Sequence, residues 1–228
     1  MKLATSLFDR VNPSVMDHEA ISGPCTIPGG KRTSDNALFF RSWLEAPLRA
    51  GAFKPSSADL ARAMAAQVDP SLPGPVVELG PGTSAVTAAL VERGVDPARL
   101  LLIEADPVFC ALLRERWPSA HVLNTDAYAA PALIKNLGEP AAAIVAGLPL
   151  IVKPPRQRLR LVLDSLRHAA PGAPFVQFTY FVRSPVPAPR PGLRAHGSPM
   201  VWWNLWPARV WSYRLTNHGG ARVGRGPS

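Results

Sequence analysis

The sequence contains few cysteines, few carboxylates in its last third and no long apolar run. Its two cysteines, Cys25 and Cys110, exclude a disulfide-stapled scaffold for a chain of 228 residues. The longest apolar stretch, residues 141–152, is interrupted by Gly147 and Pro149, whereas a membrane-spanning helix needs about 20 apolar residues. Because 47% of the residues are hydrophobic and 18% are charged, we expect a globular chain with a core.

The shortage of carboxylates leaves a strong positive charge at one end of the chain. Residues 151–228 contain 12 basic side chains and one acidic side chain, Asp164, whereas residues 1–150 have a net charge of −2. A field of this kind attracts a polyanion, either a nucleic acid or an anionic lipid surface. The alternative interpretation is a solvated surface that keeps the protein soluble.

The first residues do not resemble an export signal, because Asp9 and Arg10 end a short apolar run. Without such a signal or a cysteine pattern, we expect the protein to work in a reducing cytoplasm. The basic last third adds the expectation of peripheral attachment to the inner face of the cytoplasmic membrane.

The chain divides into four parts by composition. Residues 1–33 are expected to form a weakly ordered arm, because prolines and glycines cluster there. Residues 34–70 are expected to contain two helices, and residues 71–216 to form the main domain. Residues 217–228 are interpreted as a flexible, glycine-rich tail.

The helix predicted from Asp35 to Arg49 is amphipathic and carries unusually large apolar side chains. They recur at helical spacing, at Leu38, Phe39, Phe40, Trp43, Leu44 and Leu48. Either this helix docks on the main domain or it lies in a membrane interface, and the two arrangements can alternate.

Short apolar strands alternate with helices through the main domain. Strands are predicted at residues 75–79, 100–104, 121–124, 142–145 and 174–180, and helices at residues 57–68, 85–93, 108–117, 135–137 and 156–168. This alternation predicts an α/β fold with a parallel sheet covered on both faces. We interpret residues 184–199 as a loop and residues 201–215 as one or two closing strands.

The most informative motif is V-V-E-L-G-P-G-T-S, which follows a strand and opens a helix. Gly80 and Gly82 allow a ligand to approach the backbone closely. The third glycine of a dinucleotide-binding turn is absent, since Ala85 stands after Ser84. Glu78 before the turn disfavours a pyrophosphate and suits a cationic or amino-bearing ligand.

Two further carboxylates follow the next strands along the chain. Open α/β sheets bind ligands at the carboxyl ends of their strands, so Glu104 can meet ribose hydroxyls and Asp126 can meet an adenine amino group. With the amides that follow Thr83, these positions suit S-adenosylmethionine, which combines adenine, ribose, a sulfonium and an amino acid end. The alternative interpretation is a glycine turn that binds no ligand.

The motifs E-L-G-P-G-T, I-E-A-D, N-T-D-A and G-L-P-L resemble those of class I S-adenosylmethionine-dependent methyltransferases. More narrowly, residues 35–215 resemble the bacterial phospholipid N-methyltransferases, which methylate phosphatidylethanolamine. The segments that carry this likeness are F-F-R-S-W-L-E-A-P-L-R-A-G-A-F-K-P-S-S at 39–57, G-L-P-L at 147–150 and Q-F-T-Y at 177–180. The resemblance implies a Rossmann-like fold with a seventh, antiparallel strand, and an N-terminal amphipathic helix that helps to hold the membrane.

The resemblance also implies which residues bind the cofactor. Lys54, Ser56 and Ser57 would lie near its methionine end, and Glu78, Gly80 and Gly82 would hold its amino acid part. The ribose would contact Glu104 beside Ala105, and the adenine would contact Asp126 and Ala127. The product of such an enzyme is S-adenosylhomocysteine.

The turn formed by Gly147, Leu148 and Pro149 is the predicted catalytic site for the acceptor amine. Pro149 removes a backbone donor and leaves carbonyl groups that can accept N–H bonds. Tyr180, at the end of the fifth strand, is predicted to hydrogen-bond the amine or to close the pocket. A strand-end loop and a packed tyrosine ring are the alternative interpretations.

Ribosomal RNA adenine dimethyltransferases are the nearest rival, because they share the E-L-G-P-G opening. Their acceptor turn begins with a polar residue and has an aromatic residue fourth, which stacks on the flipped base. Here Gly147 and Leu150 occupy those positions. We therefore expect methylation of phosphatidylethanolamine and its mono- and dimethyl derivatives toward phosphatidylcholine. The alternatives are an RNA or small-amine methyltransferase of the same fold, and an inactive domain that binds anionic surfaces.

Basic residues after the fifth strand are the predicted lipid contacts. Arg183, Arg190, Arg194 and His196 are expected to flank the end of that strand, where guanidinium groups suit phosphate geometry. The histidines are scattered and the cysteines are unpaired, so no metal site is expected. The predicted partners are the phospholipid substrate and an anionic membrane surface, with no nucleic acid and no obligate protein partner.

Overall fold

The computed structural model of the protein describes residues 55–187, 191–202 and 207–216, with side-chain burial from residue 58 onward. Several predicted features lie outside these ranges: the arm at residues 1–33, the helix from Asp35 to Arg49, Lys54, Arg190 and the tail at residues 217–228. Within the described ranges, no helix is long and apolar enough to cross a membrane.

Seven strands form one sheet in the order β3-β2-β1-β4-β5-β7-β6. They are β1 (Val76–Leu79), β2 (Leu100–Glu104), β3 (His121–Asn124), β4 (Ala143–Ala146), β5 (Phe175–Thr179), β6 (Leu193–Val201) and β7 (Ala208–Leu215). The first five strands are parallel, and β7 runs antiparallel to both of its neighbours. The predicted Rossmann-like α/β fold with a mainly parallel seven-stranded sheet is therefore confirmed.

Helices cover both faces of this sheet. In the described part of the chain they are α1 (Pro55–Ala65), α2 (Ala85–Glu92), α3 (Pro107–Arg116), α4 (Ala130–Asn136) and α5 (Pro155–Leu166). The first three pack on one face with Val76 and Leu102. The last two pack on the other face with Val77 and Ile103. Alternate residues of each inner strand thus supply two separate cores, as a doubly covered parallel sheet requires.

Two predicted elements differ from the structure. The predicted helix at residues 135–137 is too short, because α4 begins at Ala130 with Pro131 in its first turn, where proline costs no helical hydrogen bond. The predicted loop at residues 184–199 is wrong in its second half, where β6 runs from Leu193 to Val201.

The prolines and glycines of β6 are tolerated because β6 is an edge strand. Pro199 lies within the register shift between Gly197 and Met200, and proline is found at bulges and edge strands because it has no N–H to donate. The register with β7 shifts just after Gly197. A Cβ on Gly197 would lie 3.2 Å from two ring atoms of Trp211, so the missing side chain makes room for that ring.

Candidate active site

The loops that follow the parallel strands converge at one side of the sheet, which we call the carboxyl edge. The loop after β1 contains three residues with left-handed backbone: Gly80 (φ 67°), Gly82 (φ 52°) and Ser84 (φ 66°). Ser84 is the one non-glycine residue with positive φ in the described chain, and it precedes the first residue of α2. This compact reversal brings the unpaired amides at the start of α2 to the carboxyl edge.

The loops after β1 and β4 pack directly against each other. Gly147 N–H donates to the carbonyl of Leu79 at 2.8 Å, and a Cβ on Gly147 would lie 2.8 Å from the carbonyl oxygen of Gly80. A Cβ on Gly80 would in turn lie 3.2 Å from the Leu148 Cβ. Two glycines therefore allow the predicted cofactor turn and the predicted acceptor turn to touch.

Gly82 differs from these two glycines, because a Cβ there would meet no atom within 4 Å. The space beside Gly82 is open, so the fold itself does not require a missing side chain there. Its N–H donates to Glu104 Oε2 at 3.0 Å. The turn thus combines an anchored backbone with free space on its outer side, the arrangement that a closely approaching ligand needs.

Glu104 is held at the end of β2 by backbone donors. Its exposed fraction is 9%, and besides Gly82 it accepts a hydrogen bond from the N–H of Asp106 at 3.0 Å. The Asn124 side-chain amide donates to the carbonyls of Glu104 and Ala105, at 3.0 Å each. Each oxygen of Glu104 keeps a lone pair for a further donor. The positioning role of Asn124 was not predicted, although the N-T-D-A motif contains it.

Glu78 lies within the sheet rather than at the strand end. It is completely buried between Leu102 and Val145 of the neighbouring strands, and its Oε2 accepts a hydrogen bond from Thr87 Oγ1 at 2.7 Å. Burial raises the pKa of Glu78 to about 8, although the Thr87 bond opposes the shift. The other oxygen, Oε1, has no partner, and this buried orphan acceptor suits an amino-bearing ligand.

Asp126 and Ala127 lie at the carboxyl edge after β3. The Asp126 carboxylate accepts a hydrogen bond from the N–H of Tyr128 at 2.9 Å and caps a short 3₁₀ turn. Asp126 is exposed and Ala127 is half-buried, as is Thr83 in the loop after β1, while Ala105 is exposed after β2. The sheet therefore brings together the predicted ribose and adenine contacts that lie about 20 residues apart in sequence.

The predicted acceptor turn is fixed by a residue that sequence reasoning did not assign. Gln177, of which 1% is exposed, donates from Nε2 to the carbonyls of Leu148 at 3.2 Å and Phe178 at 2.7 Å. Its Oε1 is buried without a partner. Tyr180 stands three residues further along, with its ring edge-to-face on Phe178 at 5.5 Å between centroids. The motif Q-F-T-Y thus fixes the turn through Gln177, while its tyrosine packs on its phenylalanine.

The predicted lipid contacts do not lie together. Arg183 is exposed just beyond β5 at the carboxyl edge. The predicted position of Arg194 and His196 is wrong, because β6 begins at the opposite edge, where Arg194 pairs with Arg214 and His196 with Ser212. Both residues are exposed, yet Arg194 is separated from the carboxyl edge by a strand length of roughly 20 Å.

The two serines predicted near the methionine end of the cofactor lie at the start of a helix. Ser56 and Ser57 lie in the first turn of α1, and their side chains are outside the described set. In the described ranges, no group of three or more His, Cys, Asp or Glu side chains could hold a metal ion.

The chain is similar to known methyltransferases in sequence and in fold. No family model matches the chain. An ornithine lipid N-methyltransferase from Singulisphaera acidiphila is 29% identical over 149 residues, which cover 64% of this chain and 78% of that protein. A TehB-like SAM-dependent methyltransferase from Corynebacterium glutamicum has a TM-score of 0.50 at 15% identity and covers 79% of this chain and 98% of its own. TrmN from Thermus thermophilus has a TM-score of 0.53 at 18% identity, and the match covers 70% of this chain and 49% of TrmN.

The chain has the class I S-adenosylmethionine-dependent methyltransferase fold. S-adenosylmethionine is the cofactor that this fold supports, as the sequence predicted. The residues at the carboxyl edge suit it, because the open space beside Gly82 and the orphan oxygen of Glu78 are features that such a ligand would use. The chain spans about half to three fifths of the length of several solved chains that it matches.

Proposed function

We propose that the protein transfers methyl groups from S-adenosylmethionine to the amine of phosphatidylethanolamine and of its mono- and dimethyl derivatives at a membrane surface. The likeness to an ornithine lipid N-methyltransferase supports a lipid amine as acceptor. The basic last third of the chain supports a negatively charged surface as the place where that acceptor is met.

The carboxyl edge offers a group for each part of the cofactor. Glu78 Oε1 would accept from the amino group, Glu104 from the ribose hydroxyls and Asp126 from the adenine amino group. The backbone beside Gly82 would lie against the ligand. When bound, the cofactor supplies a methyl group on a sulfonium, which is already activated for transfer to a nitrogen lone pair.

The observation that carries the choice of acceptor is the environment of the turn after β4. Leu150, in the position where an adenine methyltransferase needs a stacking aromatic residue, is completely buried in the core. It therefore offers no face to a flipped base. The carbonyls of Leu148 and Pro149 each accept one hydrogen bond within the protein, from Gln177 and from Val152. Each keeps a second lone pair, which can accept an N–H of an amine. This observation favours a lipid amine over RNA.

The chain contributes orientation rather than acid–base chemistry. Gln177 fixes the Leu148 carbonyl, and holding two reacting atoms in line can contribute about 7–11 kcal/mol. The amine must arrive with a free lone pair, although a primary amine titrates near 10. His196 does not face the turn, since it lies at the level of Ser212 in the sheet. The proton can leave through water to the phosphate of the lipid itself.

The test supplies methyl-labelled cofactor together with three possible acceptors in separate reactions. These are vesicles containing phosphatidylethanolamine, vesicles containing an ornithine lipid, and total RNA. We expect label in phosphatidylethanolamine, followed by its mono-, di- and trimethyl products on chromatography. Label in ornithine lipid alone would overturn phosphatidylethanolamine as the acceptor, while the acceptor would still be a lipid amine. Label in RNA, or in none of the three, would overturn the proposal.

A further inference from the structure

The exposed large hydrophobic side chains of the described chain are concentrated at the carboxyl edge. They are Val108, Leu112, Ile151, Phe181, Val182 and Trp202. Val108 and Leu112 lie on the first turns of α3 after β2. The other four follow β4, β5 and β6. Because β6 is parallel to β5 through their shared partner β7, Trp202 emerges on the same side as Phe181.

We define the apolar rim as Ile151, Phe181, Val182 and Trp202. Their exposed fractions are 42%, 58%, 67% and 69%, which is high for side chains of this size. Exposed apolar residues scattered singly over a surface need no explanation, whereas several at one edge mark an interaction site.

The exposure of the rim is built into the fold. Phe181 N–H donates to Thr179 Oγ1 at 3.1 Å, and the Arg209 guanidinium donates to the carbonyl of Val182 at 3.4 Å. These two bonds tie the loop after β5 to its own strand and to β7. The backbone that carries the exposed side chains of Phe181 and Val182 is therefore fixed by local hydrogen bonds.

The charges beside the rim identify the kind of surface that it fits. Exposed cations stand next to rim residues in the chain: Arg183 follows Val182, and Lys153 and Arg156 follow Ile151. Lys153 also lies over the Tyr128 ring, 5.2 Å from its centroid. Residues 147–156, 179–187 and 199–202 contain no carboxylate. The single acidic residue of the last third, Asp164, sits near the far end of α5 and pairs with Arg160 and Arg167. Apolar side chains flanked by uncompensated cations match a bilayer interface with anionic headgroups.

The other exposed apolar pair at this edge has a different setting. Val108 follows Asp106, which caps α3, and Leu112 stands one helical turn before Arg116. Arg116 donates to the carbonyl of Thr83 at 3.4 Å, so this side of the edge carries charges of both signs. The loops that carry the rim differ, because they contain cations and no carboxylate.

We propose that the apolar rim is the surface through which this protein docks on an anionic bilayer. The docked orientation would place the Gly147–Pro149 turn at the headgroup level, where a lipid amine reaches it without leaving the membrane. This inference rests on the proposed function for the identity of the substrate. Membrane binding by the rim is independent of that function, because the rim would also bind vesicles that contain no acceptor amine.

The experiment compares two sets of substitutions in the full chain. The rim variant is Phe181→Ser, Val182→Ser and Trp202→Ser. The matched control is Val108→Ser and Leu112→Ser, which also removes exposed apolar groups from the same edge. Binding is measured by sedimentation with vesicles of phosphatidylglycerol and phosphatidylcholine, which lack a primary amine. Titration with S-adenosylhomocysteine checks that each variant is folded.

We expect the rim variant to bind these vesicles about tenfold or more weakly, because it removes three large apolar groups from the surface that would enter the bilayer interface. The control should bind within about twofold of the unsubstituted protein. Equal binding by all three proteins would overturn the proposal, as would an equal loss in both variants. If light scattering finds a dimer that only the rim variant loses, with vesicle binding unchanged, the rim is a contact between copies and the proposal fails. Vesicle binding that requires the rim without methyl transfer to any lipid would leave the docking surface standing and remove the proposed function.

Discussion

Replacing Gly82 by alanine tests whether the fold or the bound cofactor requires a glycine at this position. A Cβ at this position meets no atom of the protein within 4 Å, so the substitution creates no clash in the fold. Its structural cost comes from the backbone alone, because φ is 52°. If the cofactor lies against this backbone, the new methyl group occupies space that the ligand needs.

The structural cost can be worked out from the backbone angle. An L-residue in the left-handed region costs about 1–2 kcal/mol, and the lower entropy of the unfolded chain offsets about 0.4–1 kcal/mol of it. The expected loss is therefore about 1 kcal/mol of unfolding free energy, which lowers Tm by about 2–4 °C in a chain of this size.

The effect on ligand binding should be larger. Adding a methyl group to a packed contact costs about 1–3 kcal/mol, which weakens affinity by about 5- to 150-fold. Calorimetric titration with S-adenosylhomocysteine measures this directly. The main-chain N–H that binds Glu104 is kept in the variant, so the change reports on space rather than on a lost hydrogen bond.

Gly172 provides the matched control. It has a φ of 80°, no atom lies within 4 Å of its missing Cβ, and it precedes β5 at the edge opposite to the candidate site. Gly172→Ala should therefore lose a similar 1 kcal/mol of stability and keep its affinity for the ligand. If both variants bind S-adenosylhomocysteine equally well, Gly82 does not face the cofactor.

Further predictions concern the buried polar groups and the membrane contact. Because the pKa of Glu78 is about 8 in the fold against 4.5 ordinarily, its stabilising effect is complete below about pH 4.5 and is lost as the pH rises through 8. The free energy of unfolding, measured with denaturant in the absence of ligand, should therefore fall more between pH 5 and 9 in the native protein than in Glu78→Gln. An equal dependence of this free energy on pH in the two proteins would refute the raised pKa of Glu78. Asp126→Ala should lower the affinity for S-adenosylhomocysteine at least tenfold, as measured by calorimetry, and should lower the free energy of unfolding by about 1 kcal/mol because a helix cap is lost. Unchanged affinity would show that Asp126 does not bind the adenine. Gln177→Leu should lower kcat by about tenfold or more through misplacement of the Leu148 carbonyl, with the KM for cofactor unchanged, and a rise in that KM alone would assign Gln177 to the cofactor side. Deleting residues 1–48 should reduce the amount of protein that sediments with anionic vesicles and leave cofactor affinity intact. If the truncated protein binds the vesicles fully, the helix in that segment packs on the main domain and does not contribute to membrane binding.

Local patterns predicted the inner strands well, because their information is local. The apolar run at β2 gave the observed bounds, since a strand buried on both faces needs continuous apolar residues. The bounds of the partly buried edge strand β3 were also predicted. The glycine turn at Gly80 and Gly82 was also readable, because positive φ is a property of the residue itself.

Edge strand β6 was misread for the same physical reason. Its residues carry glycine, proline and charge, and its hydrogen-bonding partner β7 comes later in the chain. Local pattern gave no sign of that partner. The error also misplaced Arg194 and His196, because a loop leaving β5 would have kept both residues near the carboxyl edge.

By itself, the sequence determined the alternation of strands and helices, the glycine turn and the carboxylates that follow successive strands, since each of these depends on residues near one another in the chain. Tertiary structure alone decided that Gly147 touches Gly80, that Gln177 clamps Leu148, and that the rim of Ile151, Phe181, Val182 and Trp202 forms at one edge. Those relations join residues up to about 70 positions apart, and they arise because strand order and direction bring the ends of distant strands to a common side.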